Sequence, residues 1–151
     1  METLNPSQLD VGHALERVIT WLRQARDPQG LSLSALSALS RLEASGALRI
    51  TDLAEREGLS QPGMTTLTNR LEEAGLALRE ADPTDRRAVR VKITPEGIKR
   101  VSNYREARAT LIASRIDQLG IDDQHALAAA LPALDRFVAV PPLNTEGKEA
   151  R

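Results

Sequence analysis

The chain has 151 residues, of which 41% are hydrophobic and 27% charged, with a formal net charge of −1; that is the size of one domain with appendages. It has no cysteine, which excludes disulfides, thiolate metal centres and thiol redox sensing. No stretch approaches the roughly 20 apolar residues of a membrane span, and residues 1–10 lack the apolar run of a signal peptide, so the expected location is the cytoplasm.

The aromatic set is Trp21, Tyr104 and Phe137, so the core must be built from Leu, Ile, Val and Ala, which favours helices. A first helix is expected from Asn5-Pro6-Ser7, with Pro6 in the first turn or Ser7 as cap, to about Ala25. Val11, Leu15, Val18, Leu22 and Ala25 form its apolar stripe. Arg26-Asp27-Pro28-Gln29-Gly30 breaks it. Ser32 or Ser34 caps a second helix carrying Ala35, Leu36, Ala38, Leu39 and Leu42, which Gly46 ends. Residues 47–50 read as a short link or an edge strand.

A third helix is expected from Thr51 or Asp52, with Asp52 and Glu55 as a capping box and Gly58 as the stop. Ser60 caps a fourth, with Pro62 in its first turn and Met64, Leu67, Leu71 and Ala74 inward. The period then changes to two. Leu76 and Leu78 alternate with Ala77 and Arg79, and Val89, Val91 and Ile93 with Arg90 and Lys92, around the turn Asp82-Pro83-Thr84-Asp85-Arg86. This is a hairpin. Thr94-Pro95 restarts a helix expected to reach Gly120, with Ile98, Val101, Ile112, Ile116 and Leu119 on one face and Tyr104 and Leu111 on another. Asp122 or Asp123 caps a last helix to about Val138, which Pro132 should kink or shorten.

Two short helices joined at Gly58-Leu59-Ser60 and followed at once by a hairpin have the layout of a winged helix-turn-helix. Opposite the apolar stripe of the second helix lie Pro62, Thr65, Thr66, Asn69 and Glu73, with Ser60 and Gln61 at its start and Arg70 on its flank. Thr methyls suit thymine methyls, and Asn or Gln can pair with adenine. Gly63 removes a side chain where such a helix would approach a duplex. A polar outer face is also what any solvated helix shows. The hairpin adds weight: from Arg86 to Arg100 there are six cations and one acid, Glu96. Arg86 and Arg87 at a turn suit a narrow minor groove, with Asp82 and Asp85 placed to orient them. A charged hairpin can instead simply guard a sheet edge.

Asp85-Arg86-Arg87 after Asp82-Pro83-Thr84, then Val89-Arg90-Val91-Lys92-Ile93-Thr94-Pro95-Glu96-Gly97, resembles the wing and following helix start of the MarR family of transcription regulators. Leu59-Ser60-Gln61-Pro62 and Arg70-Leu71-Glu72-Glu73-Ala74-Gly75-Leu76 resemble its recognition helix, and Leu53-Ala54-Glu55-Arg56 the helix before it. The resemblance implies a mainly α fold with a small β-hairpin wing. Residues 31–94 would form the winged helix-turn-helix. Residues 7–30 and 95–138 would form a helical dimerisation region, with 1–6 and 139–151 as flexible termini. It also implies a homodimer on a pseudo-palindromic operator in double-stranded DNA, acting as a repressor. Arg87 would enter the minor groove, and Arg86 and Arg70 would hold phosphates. Ser60, Gln61, Pro62, Thr65, Thr66 and Asn69 would face the major groove, with Gly63 and Asp85 completing the DNA-binding set. Family members often release DNA on binding a small aromatic or anionic effector. His13, Arg17, Trp21 and Arg41 could line such a pocket, although packing or surface roles explain each more simply.

No cofactor or metal site is expected. No Ser/His/Asp grouping or phosphate-cradling glycine loop is present, which argues against an enzyme. The alternative is a winged-helix protein-interaction module that does not bind DNA.

Overall fold

Ser32 shows how locally the chain directs its own folding: its side-chain oxygen accepts from the Ala35 amide and starts a helix, as a short hydroxyl at the cap position should. In the computed structural model of the chain, residues 6–24, 27, 30–85 and 87–140 are described. The elements run α1 (Pro6–Gln24), α2 (Leu33–Ser45), β1 (Leu48–Arg49), α3 (Ile50–Arg56), α4 (Gln61–Glu73), β2 (Ala77–Ala81), β3 (Val89–Ile93), α5 (Pro95–Ile116) and α6 (Ile121–Ala139). The fold is mainly helical, with one three-stranded antiparallel sheet in the order β1-β3-β2. The chain divides into two compact units, one closing at Ala109 and the other opening at Thr110.

The core of the first unit is aliphatic, as the shortage of aromatics requires. Leu39 and Leu42 of α2, Leu53 of α3, Met64 and Leu71 of α4, Val91 of β3 and Val101 of α5 are fully buried. Each such side chain stabilises the fold by about 1.5–3 kcal/mol relative to exposure. Ala35, Ala38, Ala54 and Ala77 are buried beside them, small enough to let elements approach closely.

Several boundaries differ from the sequence expectation. Pro6 already lies in α1, so Ser7 is not its cap. The helix α3 begins at Ile50 directly after β1, with Arg49 at the cap position and no side-chain cap bond; the Asp52–Glu55 capping box does not form because the strand hands the backbone straight into the helix. On α4 the buried set is Met64, Thr68 and Leu71, while Ala74 is the exposed C-cap. Strand β2 has the opposite face to that expected: Ala77 is buried and Leu78 is 40% exposed. Alternation fixes the period and not the side. Here Leu76 is buried before the strand begins, its amide bonded back to the Leu71 carbonyl, so pairing starts at Ala77, which faces inward.

Thr94 works as expected at the start of α5, accepting from the Gly97 amide at 3.0 Å while donating to the Gly75 carbonyl at 2.7 Å. The buried face of α5 is Gly97, Arg100, Val101 and Tyr104, so Tyr104 shares a face with Val101 and Ile98 points outward. The helix ends at Ile116 rather than Gly120. Gly120, not Asp122 or Asp123, caps α6, and the two aspartates sit in its first turn, where the helix dipole favours them. Pro132 lies within α6, which nonetheless continues to Ala139. The expected loose termini fall mostly outside the described residues, as do Ala25 and Pro28.

Candidate nucleic-acid interface

The two helices of the central pair are joined by a glycine turn. Gly58 has φ +63°, a conformation costly for any residue with a Cβ. It lets the Gly58 amide reach the Glu55 carbonyl at 3.1 Å and the Leu59 amide reach that of Ala54 at 2.9 Å, which satisfies the end of α3. Two residues later the Ser60 hydroxyl accepts from the Gly63 amide at 3.2 Å and opens α4.

With Met64, Thr68 and Leu71 inward, Ser60, Gln61, Pro62, Gly63, Thr66, Asn69 and Arg70 are exposed and Thr65 is half-buried. The Thr65 and Thr66 hydroxyls donate to the carbonyls of Gln61 and Pro62 at 2.9 and 3.0 Å. Their hydrogens are thus used within the helix, and methyls and lone pairs remain for contacts. A Cβ on Gly63 would meet the Ser60 hydroxyl at 3.1 Å, so the cap itself already favours glycine there.

The hairpin between β2 and β3 is organised by its aspartates. Asp82 Oδ1 accepts from the Thr84 amide and hydroxyl at 2.8 and 2.7 Å, and its Oδ2 accepts from Arg49 Nε at 2.8 Å. The Thr84 hydroxyl, then the Arg49 guanidinium and the Thr84 amide, hold the Asp82 carboxyl well below the usual carboxylate range. Asp85 Oδ1 accepts from the Arg87 amide at 3.0 Å, a local turn that sets the backbone at the tip. Arg87 is exposed, and its guanidinium enters no ion pair among the described residues. Arg86 lies outside the described residues.

The hairpin's positive charge is less available than its composition implied. Arg90 pairs with Glu80 directly across the ladder, at 2.6 Å, and Lys92 lies 4.0 Å from the same carboxylate. Arg100 is buried against Asp27. Asp82, expected to orient the tip arginines, instead holds Arg49 of β1. The sequence reading also missed Arg79, which donates from β2 to Glu72 and Asn69 of α4. Its signal was a lone cation beside Leu76 and Leu78, seven residues after Glu72. Of the residues considered for an effector pocket, Arg41 is bound to Glu57 at 3.1 Å, His13 and Arg17 are exposed, and Trp21 is half-buried. Among the described residues no cluster of three or more His, Cys, Asp or Glu could hold a metal, and no helix is long and apolar enough to cross a membrane.

A glycine-turned helix pair whose second helix shows a polar face, with a hairpin bonded onto it, defines a winged helix-turn-helix DNA-binding protein. Residues 31–89 match the model of the MarR family. An uncharacterized HTH-type transcriptional regulator of Mycobacterium leprae is 36% identical over 122 residues, 80% of this chain and 85% of that protein. The chain belongs to the MarR family, and it is a transcription regulator rather than an enzyme. Solved structures share the fold. A transcriptional regulator of Thermotoga maritima matches with TM-score 0.73 at 22% identity, over 88% of this chain and 99% of that one. An S. aureus MepR mutant bound to an oligodeoxyribonucleotide matches with TM-score 0.63 at 20% identity, over 89% of this chain and 99% of that one.

Proposed function

We propose that the chain is a cytoplasmic repressor that binds a pseudo-palindromic operator as a homodimer, with α4 in the major groove and the hairpin tip in the minor groove. The observation that carries this reading is the pairing of an exposed polar face on α4 with an exposed Arg87 at the hairpin tip, the two joined through Arg79. In this reading Gln61, Pro62, Thr65, Thr66 and Asn69 approach base edges and Ser60 and Gly63 bring the helix start close. Arg70 and Arg86 hold phosphates, and Asp85 shapes the tip that delivers Arg87.

Residues 31–94 then serve as the reading lobe, and 7–30 with 95–138 as the dimerisation region. Support comes from each of two helices taken alone. On α1, Val11, Val18 and Ile19 are exposed, and α6 has no buried residue, with Ile121, Leu131, Phe137 and Val138 all open to solvent. Apolar faces of that extent are what a partner subunit covers. Two lobes so joined read half-sites about one helical turn apart, roughly 34–36 Å. A small aromatic or anionic effector that alters this spacing weakens both lobes together.

The test is a gel shift on mixed genomic fragments across a salt series. Affinity that falls steeply with salt is expected from phosphate contacts. No shift even at low salt would favour a protein-interaction module instead.

A further inference from the structure

Arg79 reaches from β2 onto α4 with three hydrogen bonds. Its Nη1 donates to Glu72 Oε2 at 2.6 Å, and its Nη2 donates to Asn69 Oδ1 at 2.5 Å and, at 3.5 Å, to Thr68 Oγ1. Glu72 anchors the cation by charge. Thr68 is 1% exposed and donates to the Thr65 carbonyl, so its position is fixed by the core. The guanidinium is therefore held at a defined place beside Asn69.

A guanidinium has five donors and no acceptor. The Asn69 amide can meet it only through its oxygen, because the reversed orientation would set NH2 against N–H. The orientation of this side chain is thus decided by charge. Asn69 is exposed on the face of α4 proposed to meet the major groove. An amide that reads adenine uses both ends, accepting from N6 and donating to N7. Here the amide oxygen already accepts from a cation, whose positive charge and remaining N–H groups disfavour a base amine beside it, so the end a base meets on better terms is NH2. Its two hydrogens match guanine, which shows N7 and O6 as acceptors. They match adenine N7 or thymine O4 less completely, and cytosine, which shows only an amine, not at all.

We propose that Arg79 is a specificity-positioning residue that makes Asn69 read through its NH2 donor, so that each half-site contains one position selecting guanine over adenine and refusing cytosine on the strand Asn69 faces. This rests on the DNA-reading function proposed above. It also replaces the bidentate adenine contact that the sequence of α4 by itself invites.

The test is selection from randomised duplexes with the full chain and three variants, each checked for folding by circular dichroism. The parent should enrich guanine at one position per half-site and deplete cytosine there by about tenfold. Asn69→Asp keeps the size of the side chain and the partner of Arg79 but turns the outward donor into an acceptor, so cytosine becomes acceptable at that position. Arg79→Met frees the amide oxygen and moves the preference towards adenine. Arg79→Lys retains a cation and a donor and keeps guanine. If Arg79→Met does not fold, the Asn69→Asp result still decides. Adenine favoured by the parent at the position that responds to Asn69→Asp, or a site whose every position is indifferent to Asn69→Asp, overturns the assignment while leaving DNA reading intact. No enriched sequence with the parent chain overturns DNA reading and this inference with it.

Discussion

Arg100 and Asp27 form a two-pronged ion pair, Nη1 to Oδ1 at 3.1 Å and Nη2 to Oδ2, between residues 73 apart in sequence. The Asp27 side chain is 1% exposed and that of Arg100 9%. The Asp27 Oδ2 also accepts from the Leu31 amide at 2.7 Å, so one carboxylate fastens the segment entering α2 to α5. Removing one partner leaves the other charge buried, and this is where the cost lies. Arg100→Met is expected to destabilise the protein by about 3–5 kcal/mol, read by urea unfolding at one fixed protein concentration. A loss below about 1 kcal/mol would place this pair with ordinary surface bridges.

Gly97 faces a different constraint, from backbone. A Cβ there would lie 2.2 Å from the Leu76 carbonyl oxygen and 2.7 Å from Ile93 Cγ1. The carbonyl cannot retreat cheaply, because it accepts the Thr94 amide at 3.1 Å. Gly97→Ala should therefore cost at least about 2 kcal/mol, seen as a lowered thermal midpoint. An alanine variant as stable as the parent would mean that α5 can slide away from the sheet.

How much of this was legible in the chain depends on how local each cause is. Ser60, Gly58 and Thr94-Pro95 act within a few residues of themselves, and each marks the boundary that the sequence indicated. The hairpin was legible from its period, but not which side of β2 faces inward, because that depends on where pairing with β3 begins. The Arg49–Asp82 bond joins residues 33 apart, and the Arg79 contacts cross from strand to helix. No spacing rule reports such pairs, so composition credited the hairpin with more free charge than its geometry leaves.

Arg87 is the wing residue on which the DNA reading leans most. Arg87→Ala should weaken operator binding, lower the salt slope by about 1, and leave folding and oligomeric state as they were. Affinities measured across a salt series check this directly. An unaltered affinity would remove the tip from the mechanism.

Asp82 gives the hairpin a dependence on acid. Its carboxyl is depressed in the fold by Thr84 and Arg49, so its stabilising contribution is complete above the unfolded-chain value of about 3.9 and drains away as pH falls below it. Asp82→Asn should narrow the gap in unfolding free energy between neutral pH and about pH 3. The same gap in parent and variant would show that the carboxylate charge is not what secures the loop.

Phe137 tests the assembly. It is 66% exposed on α6, a face with no buried residue. If the proposed dimer forms through α6, Phe137→Asp is expected to shift the chain towards monomer in light scattering while its helix content persists. A dimer that tolerates the aspartate would put the contact elsewhere.

Arg49 ends β1, stands at the cap of α3 and grips the loop after β2, all with one residue. Arg79 ties the strand β2 of the same hairpin to α4, so strand and helix are held to each other without help from a ligand. If helix and hairpin read DNA as proposed, a duplex that seats both must fit its groove widths to their spacing. Stretches of operator that no side chain reaches would then enter the choice of site through their stiffness, because stiff steps resist the adjustment and pliant ones permit it.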